Sequence, residues 1–174
     1  FNITKLEDIV TGGENGQESI RKGIFALEKQ FDPCDLVLVH DAIRPMVSAD
    51  IISDCIVKTR QYGCAIATVP CAEAMLQTED KIKSNLSIDR EILYRTQTPH
   101  TMSLKDMTAL HREAAKKGIT GSVATCTLLI ECGYTVWFSR GSDLNFKITS
   151  MEDLMIFRAP VAVMDKFDLE EKTE

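Results

Sequence analysis

No apolar run in the sequence approaches the roughly 18 residues that a membrane-spanning helix needs, which excludes a helical span from its reading. Positive charge is not in excess either. Twenty Lys and Arg stand against 26 Asp and Glu, a formal net charge of -6. Phosphate-backbone affinity needs a clustered surplus of cations, so nucleic acid is excluded as the main partner. A small phosphorylated molecule stays open, because two or three placed cations can hold one. Internal repeats and low-complexity tracts are absent, which excludes a repeat array. Cysteine is not scarce, but none of the six forms a CxxC pair, and no compact secreted disulfide framework is recognisable. The expectation is reduced, buried thiols in a cytosolic protein.

What is present supports one sizeable core: 44% of the residues are hydrophobic, enough for a single domain over 1–174 with a small appendage. The start, Phe1-Asn2-Ile3-Thr4-Lys5-Leu6-Glu7-Asp8, reads as the interior of a longer chain rather than as a leader. Val10-Thr11-Gly12-Gly13 reads as a strand end turning into a Gly-rich loop, and the spacing of Ile20, Ile24, Phe25 and Leu27 predicts a helix over 19–31. Leu36–Val39 is a short valine-rich run of the kind buried on both faces of a sheet. Ser48 to Gly63 reads as a capped helix, and 64–69 as another strand. The more polar stretch 75–93, with a turn at Gln77–Lys81, predicts a hairpin arm, bounded generously as 72–95. Ser103 caps a helix to 117, a second helix spans about 123–133, a strand covers 134–139, and an acidic helix begins at Ser150. Alternation of strand and helix predicts an α/β fold with a mostly parallel sheet covered on both faces.

In such sheets ligands bind beyond the carboxyl ends of the strands. His40-Asp41-Ala42-Ile43-Arg44-Pro45 follows a buried strand. Asp41 is suited to hold Mg²⁺ and Arg44 to meet a phosphate; equally, the two could merely organise the turn. His40 is expected to hydrogen-bond locally, since no second His stands at ligand spacing. Asp89-Arg90 and Thr96-Gln97-Thr98-Pro99 form a second cluster, in which Arg90 either grips a phosphate or lies solvated, and threonine hydroxyls suit polyol oxygens. Lys147, within Asn145-Phe146-Lys147-Ile148-Thr149, either reaches solvent or faces an anion. Gly12, Gly13 and Glu14 form a loop able to approach a base closely, a weak signal alone.

The order of these elements is more specific than any one of them. A Gly-Gly loop, a Ser19-bearing helix, HDAxRP after a valine-rich strand, a polar arm with a DR pair, QTP, then G-x-x-x-N-x-K-I-T resembles the 2-C-methyl-D-erythritol 4-phosphate cytidylyltransferases and the related ribitol-5-phosphate cytidylyltransferases over residues 10–157. That resemblance implies a doubly wound, Rossmann-type fold like that of nucleotide-diphospho-sugar transferases, with an arm that embraces a second subunit. It implies a cytoplasmic, Mg²⁺-dependent enzyme joining CTP to a polyol phosphate, in isoprenoid biosynthesis if the acceptor is methylerythritol phosphate. By motif, Asp41 is implied beside substrate and metal, and Lys147 between the reacting phosphates. Arg90 is implied on the acceptor phosphate in a neighbouring subunit's site. Arg44 and Thr98 are implied at the acceptor, and Gly12, Gly13, Glu14 and Ser19 along the nucleotide. The family's N-terminal Gly-rich triphosphate loop does not occur in these 174 residues. Other departures are Glu14 for a usual Asp, Ala74 for Thr, Val123-Ala124 for Thr-Asp, and no Arg near Gly16. A different phosphorylated acceptor, as in cell-surface polymer synthesis, or an inactive binding module are the competing readings.

Overall fold

The computed structural model describes residues 4–170, with side chains described to residue 162; residues 1–3 and 171–174 of the single-domain reading lie outside. In chain order the elements are α1 (Gly16–Leu27), β1 (Leu36–Val39), α2 (Ala49–Tyr62), β2 (Cys64–Pro70), β3 (Met75–Gln77), β4 (Leu86–Ile88), β5 (Tyr94–Ser103), α3 (Leu104–Lys116), α4 (Thr125–Glu131), β6 (Phe138–Arg140) and α5 (Met151–Glu170). The main sheet has the order β1-β5-β2-β6. β6 runs parallel to β2, and β5 runs antiparallel to both β1 and β2. Three of the four strands therefore share one direction, as the alternating pattern predicts, and the reversed strand is inserted between two of them.

Strand alternation sorts the core onto two faces. Cys64 and Ile66 of β2 point into a cluster with Ile24, Met107, Leu110, Leu128 and Leu129, so α1, α3 and α4 cover one face. Ala65 and Ala67 point the other way, against Ile51 and Cys55 of α2. Ile51, Cys55 and Thr59 recur every four residues, a single stripe of that helix. Their neighbours on β2 are alanines, which let the helix lie close. Each large apolar side chain taken fully out of water, such as Ile66 or Leu128, stabilises the fold by roughly 1.5–3 kcal/mol. No helix among the described residues is long and apolar enough to cross a membrane. All six cysteines are free; five are buried and Cys34 is exposed.

Several elements differ from their sequence-based expectation, each for a local reason. α1 starts at Gly16, not Ser19, because the Asn15 side chain caps it by accepting from the Glu18 amide at 2.9 Å. Residues 10–13 form no strand; Ile9 and Val10 are exposed and have no ladder partner among the described residues. β1 is an edge strand, half-buried throughout rather than buried on both faces. The strand expected at 134–139 shortens to 138–140. Nothing in the residue pattern announces β5, which spans Tyr94–Ser103. The arm does form a hairpin, with Met75 opposite Ile88 and Gln77 opposite Leu86.

α2 and α3 carry the caps that the sequence proposes: Ser48 accepts from the Ile51 amide, Ser103 from the Asp106 amide, and Gly63 closes α2 with φ at +87°. α4 does not: its N-cap, Ala124, makes no side-chain bond. Ala124→Asp is expected to stabilise the protein by about 1 kcal/mol through a new cap and a favourable charge at the helix N-terminus. A denaturant titration at pH 7 reads this as a higher midpoint at unchanged slope.

Candidate active site

β1 ends at Val39, and the chain turns there through His40 to Pro45. Its neighbour β5 pairs Val39 with His100, so the HDAxRP turn and the QTP segment meet at one rim of the sheet. The register explains why QTP is special. Ile66 of β2 faces His100, but Thr68 faces Thr96, so Gln97, Thr98 and Pro99 together oppose the single residue Ala67. This bulge re-aims two polar side chains within a buried strand. Gln97 and Thr98 are only 5% and 8% exposed.

Thr98 Oγ1 accepts the Asp41 amide at 3.0 Å and lies 2.9 Å from His40 Nδ1. His40 Nε2 lies 3.0 Å from the Arg44 carbonyl, which can only accept. The chain of partners therefore fixes the roles: Nε2–H donates to Arg44, and the Thr98 hydroxyl donates to Nδ1 while receiving Asp41 N–H. His40 thus bonds locally, as its isolation in the sequence predicts. Thr98 holds the base of the turn, and its one proton is already engaged.

The Asp41 carboxylate is the focus of charge. Arg44 Nε approaches Oδ2 at 3.2 Å and Lys147 Nζ approaches the same oxygen at 3.4 Å. Arg44 is nearly buried and also donates from Nη1 to the Asn145 carbonyl at 2.9 Å. Lys147 is about half exposed, so its charge faces both the carboxylate and solvent. Burial pushes the Asp41 carboxyl upward, but the Arg44 hydrogen bond and the Lys147 charge outweigh it and hold the group below its ordinary value. Two cations on one anion leave a net positive cluster at the end of β1, which suits a phosphate. Oδ1 has no hydrogen-bond partner among the described residues, and no group of three metal-ligating side chains occurs among them. A lone carboxylate oxygen fits Mg²⁺, which commonly takes one or two protein carboxylates and completes its shell with substrate phosphates and water.

The Lys147 loop is anchored from the β5 side. The Asn145 side chain is fully buried and donates from Nδ2 to the Thr98 carbonyl at 2.8 Å and to Gln97 Oε1 at 3.3 Å. Gln97 in turn donates to the Ser142 carbonyl at 2.8 Å and accepts from its amide at 3.2 Å. Gly141 allows this approach, since a Cβ there would fall 2.6 Å from the Thr68 carbonyl oxygen and 2.7 Å from Gln97 Oε1. Farther along, Ile148 N–H bonds the Ile43 carbonyl, and Arg95 pairs with Asp143. Asn145 and Gln97 stand inside the motifs of the sequence reading without a signal of their own, since their burial appears only in the structure.

The other sequence candidates lie elsewhere. Arg90 sits at the root of the arm, donating to the Ala72 carbonyl at 2.8 Å and meeting Glu91 at 3.5 Å, with no described contact to Asp41. Gly12, Gly13 and Glu14 form a tight turn tied to the first turns of α1: Ser19 Oγ accepts the Gly13 amide, and Glu18 accepts the Glu14 amide, both at 2.9 Å. A Cβ on Gly13 would collide with Glu18 at 2.4 Å, so the turn needs glycine. Ala72 and Glu73 leave Ala74 exposed at the arm root with no hydroxyl to offer.

The 2-C-methyl-D-erythritol 4-phosphate cytidylyltransferase family model matches residues 3–162. A ribitol-5-phosphate cytidylyltransferase from Vibrio parahaemolyticus is 33% identical over 97% of this chain and 71% of its own length. A 2-C-methyl-D-erythritol 4-phosphate cytidylyltransferase from Clostridium botulinum is 34% identical over 90% of this chain and 66% of its own. Among solved structures, the 2-C-methyl-D-erythritol 4-phosphate cytidylyltransferase of Thermus thermophilus superposes with a TM-score of 0.76 at 26% identity, covering 91% of this chain and 79% of that one. With the HDAxRP, QTP and N-x-K segments gathered on one rim of a doubly covered sheet, the chain belongs to the 2-C-methyl-D-erythritol 4-phosphate cytidylyltransferase family of nucleotidyltransferases.

Proposed function

We propose that the polypeptide carrying this chain transfers the cytidylyl group of CTP to the phosphate of a small polyol phosphate, either 2-C-methyl-D-erythritol 4-phosphate or ribitol 5-phosphate. The observation that carries the reading is the convergence of Arg44 and Lys147 on Asp41 at the end of β1. In the proposed reaction an acceptor phosphate oxygen attacks the α-phosphorus, the bond to the β-phosphate oxygen breaks, and pyrophosphate leaves with that electron pair. The nucleophile is already an anion, so no side chain has to remove a proton. What these residues must do is position and neutralise crowded charge. Lys147 reaches both the acceptor phosphate and the α-phosphate from its half-exposed position, and Arg44 keeps Asp41 ionised and oriented. Asp41 would hold Mg²⁺ through its carboxylate, and the ion would supply charge neutralisation on the phosphates.

Gly12, Glu14 and Ser19 are proposed to border the cytidine. The arm is proposed to carry Arg90 toward the site of a second copy in a homodimer, which accounts for an exposed arginine at an arm root with no described contact to Asp41. Ala74 at the arm root and Ala124 at the start of α4 offer no side-chain hydrogen bond where the resemblance implies Thr and Asp, which leaves room for a phosphorylated acceptor outside the two named.

The test combines the full-length gene product, Mg²⁺, each of four nucleoside triphosphates and a panel of polyol phosphates, reading pyrophosphate release and product mass. One CDP-polyol formed with CTP is the expected result and identifies the acceptor. Absence of any product from a folded full-length protein would remove the polyol-phosphate reading.

A further inference from the structure

We propose that Asn145 and Gln97 form a buried amide clasp that sets the position of Lys147 and Arg44 over Asp41, making both amides positioning residues for the transfer reaction proposed above, on which this inference rests. Three segments distant in sequence must agree for the cations to converge: the HDAxRP turn, the β5 bulge and the Lys147 loop. Asn145 touches all three. Its carbonyl receives Arg44 Nη1, its Nδ2 donates to the Thr98 carbonyl and Gln97 Oε1, and its own chain leads two residues on to Lys147. Thr98 carries the effect onward, because its hydroxyl receives the Asp41 amide.

The chemistry of the clasp selects for an amide. Nδ2 faces two oxygens, so a donor with two hydrogens is required there; a carboxylate or a flipped amide would set oxygen against oxygen. Gln97 is fixed as strictly, since its Nε2 donates to the Ser142 carbonyl while its Oε1 receives the Ser142 amide and Asn145. Asn145 Oδ1, by contrast, is buried and has no hydrogen-bond partner among the described residues. An orphaned buried oxygen is destabilising, so the site carries that cost in order to keep the two bonds that Nδ2 donates. What an apolar residue could not do is hold the β5 bulge against the Lys147 loop.

The test separates positioning from folding and from the proposed activity. In the full-length enzyme with CTP and its acceptor, Asn145→Ala is expected to lower kcat by about 100-fold with a much smaller change in KM for CTP. In a Lys147→Ala background the same change is expected to cost less than about threefold, because Lys147 is gone and Arg44 bonds the main-chain carbonyl of residue 145, which alanine retains. An equal loss in both backgrounds overturns the inference. A second measurement needs no turnover: native-state hydrogen exchange of the Asp41 and Ile148 amides is expected to rise at least about tenfold in Asn145→Ala, with the core Ile66 amide unchanged. Unchanged exchange at Asp41 and Ile148, or an equal rise at Ile66, overturns it, including where the wild type yields no product and the transfer reading itself has failed. Should Asn145→Ala not fold, Gln97→Leu is expected to give the same pattern in both measurements, and uniform loss of protection in that variant overturns the clasp.

Discussion

Lys147→Ala is expected to lower kcat by about a hundredfold to a thousandfold, roughly 3–4 kcal/mol of barrier, without a comparable loss of stability. Half of the side chain is already in solvent, so its removal leaves no core cavity and no buried charge. Asp41 keeps its nearer partner, Arg44, at 3.2 Å and stays ionised. What disappears is the only described cation of the cluster with a free face. In the ground state that ammonium is shared between Asp41 and water; in transfer it would meet the charge that crowds between two phosphates, where a preorganised cation counts most. Lys147→Arg is expected to restore little, because a planar fork on a different stem cannot occupy the position of a compact ammonium. Steady-state pyrophosphate release measures the effect, with a thermal melt as control. A loss of under threefold, or a melt lowered in proportion to the activity, would move Lys147 out of the reaction.

Acidification is expected to destabilise this fold well before its carboxylates are protonated. His100 and His111 are 3% and 2% exposed, and burial lowers each to about 4 from the usual 6.5. For His100 a hydrogen bond with the Gln97 backbone opposes that lowering without cancelling it. Both rings are neutral in the fold and take up protons in the unfolded chain between those values. The unfolded state then binds more protons, so stability rises with pH across the window: it is fully present above about 6.5 and lost as pH falls toward 4. Between pH 7.5 and pH 5 each histidine is expected to withdraw about 2 kcal/mol, together a large share of a typical folding free energy of roughly 5–15 kcal/mol. Both nitrogens of His111 lack a hydrogen-bond partner among the described residues. His111→Leu is therefore expected to fold well and to remove about half of the acid sensitivity. Denaturant titrations at the two pH values, for both proteins, read this directly. Equal pH dependence in wild type and variant would show that His111 does not carry its share.

Much of this architecture is legible in the residue pattern, and the gaps have physical causes. Ser48, Ser103, Gly63 and the Val37–Val39 run announce their elements because caps and apolar runs are local signals. β5 is hidden because its middle reads Thr-Gln-Thr-Pro-His-Thr, polar and interrupted by proline, where a central strand ordinarily shows neither. The bulge resolves the contradiction, since the residues between the two registers need not satisfy a regular ladder. At the site, Asp41 and Arg44 are legible as a polar cluster following a strand, and Lys147 as a charge in an apolar stretch; the structure brings these three together. Asn145 is not, because nothing in a linear motif shows that its amide spans two loops. Nor does the chain show what Arg90 faces, because its described contacts end within its own arm.

The bulge in β5 also insulates one end of that strand from the other. Below it, Thr96 to Tyr94 keep step with Thr68 to Pro70; above it, His100 to Met102 keep step with Ile66 to Cys64, and β5 spends two extra residues in between. A strand without this slack would transmit every slip or twist of the arm straight to Thr98, and a one-residue slip would turn that hydroxyl to the opposite face. With it, the arm root can lengthen, bend or be pulled while the upper half stays locked to β1 through Val39 and His100. The fold thereby tolerates drift in its exposed arm, as a strain-relief loop protects a soldered joint.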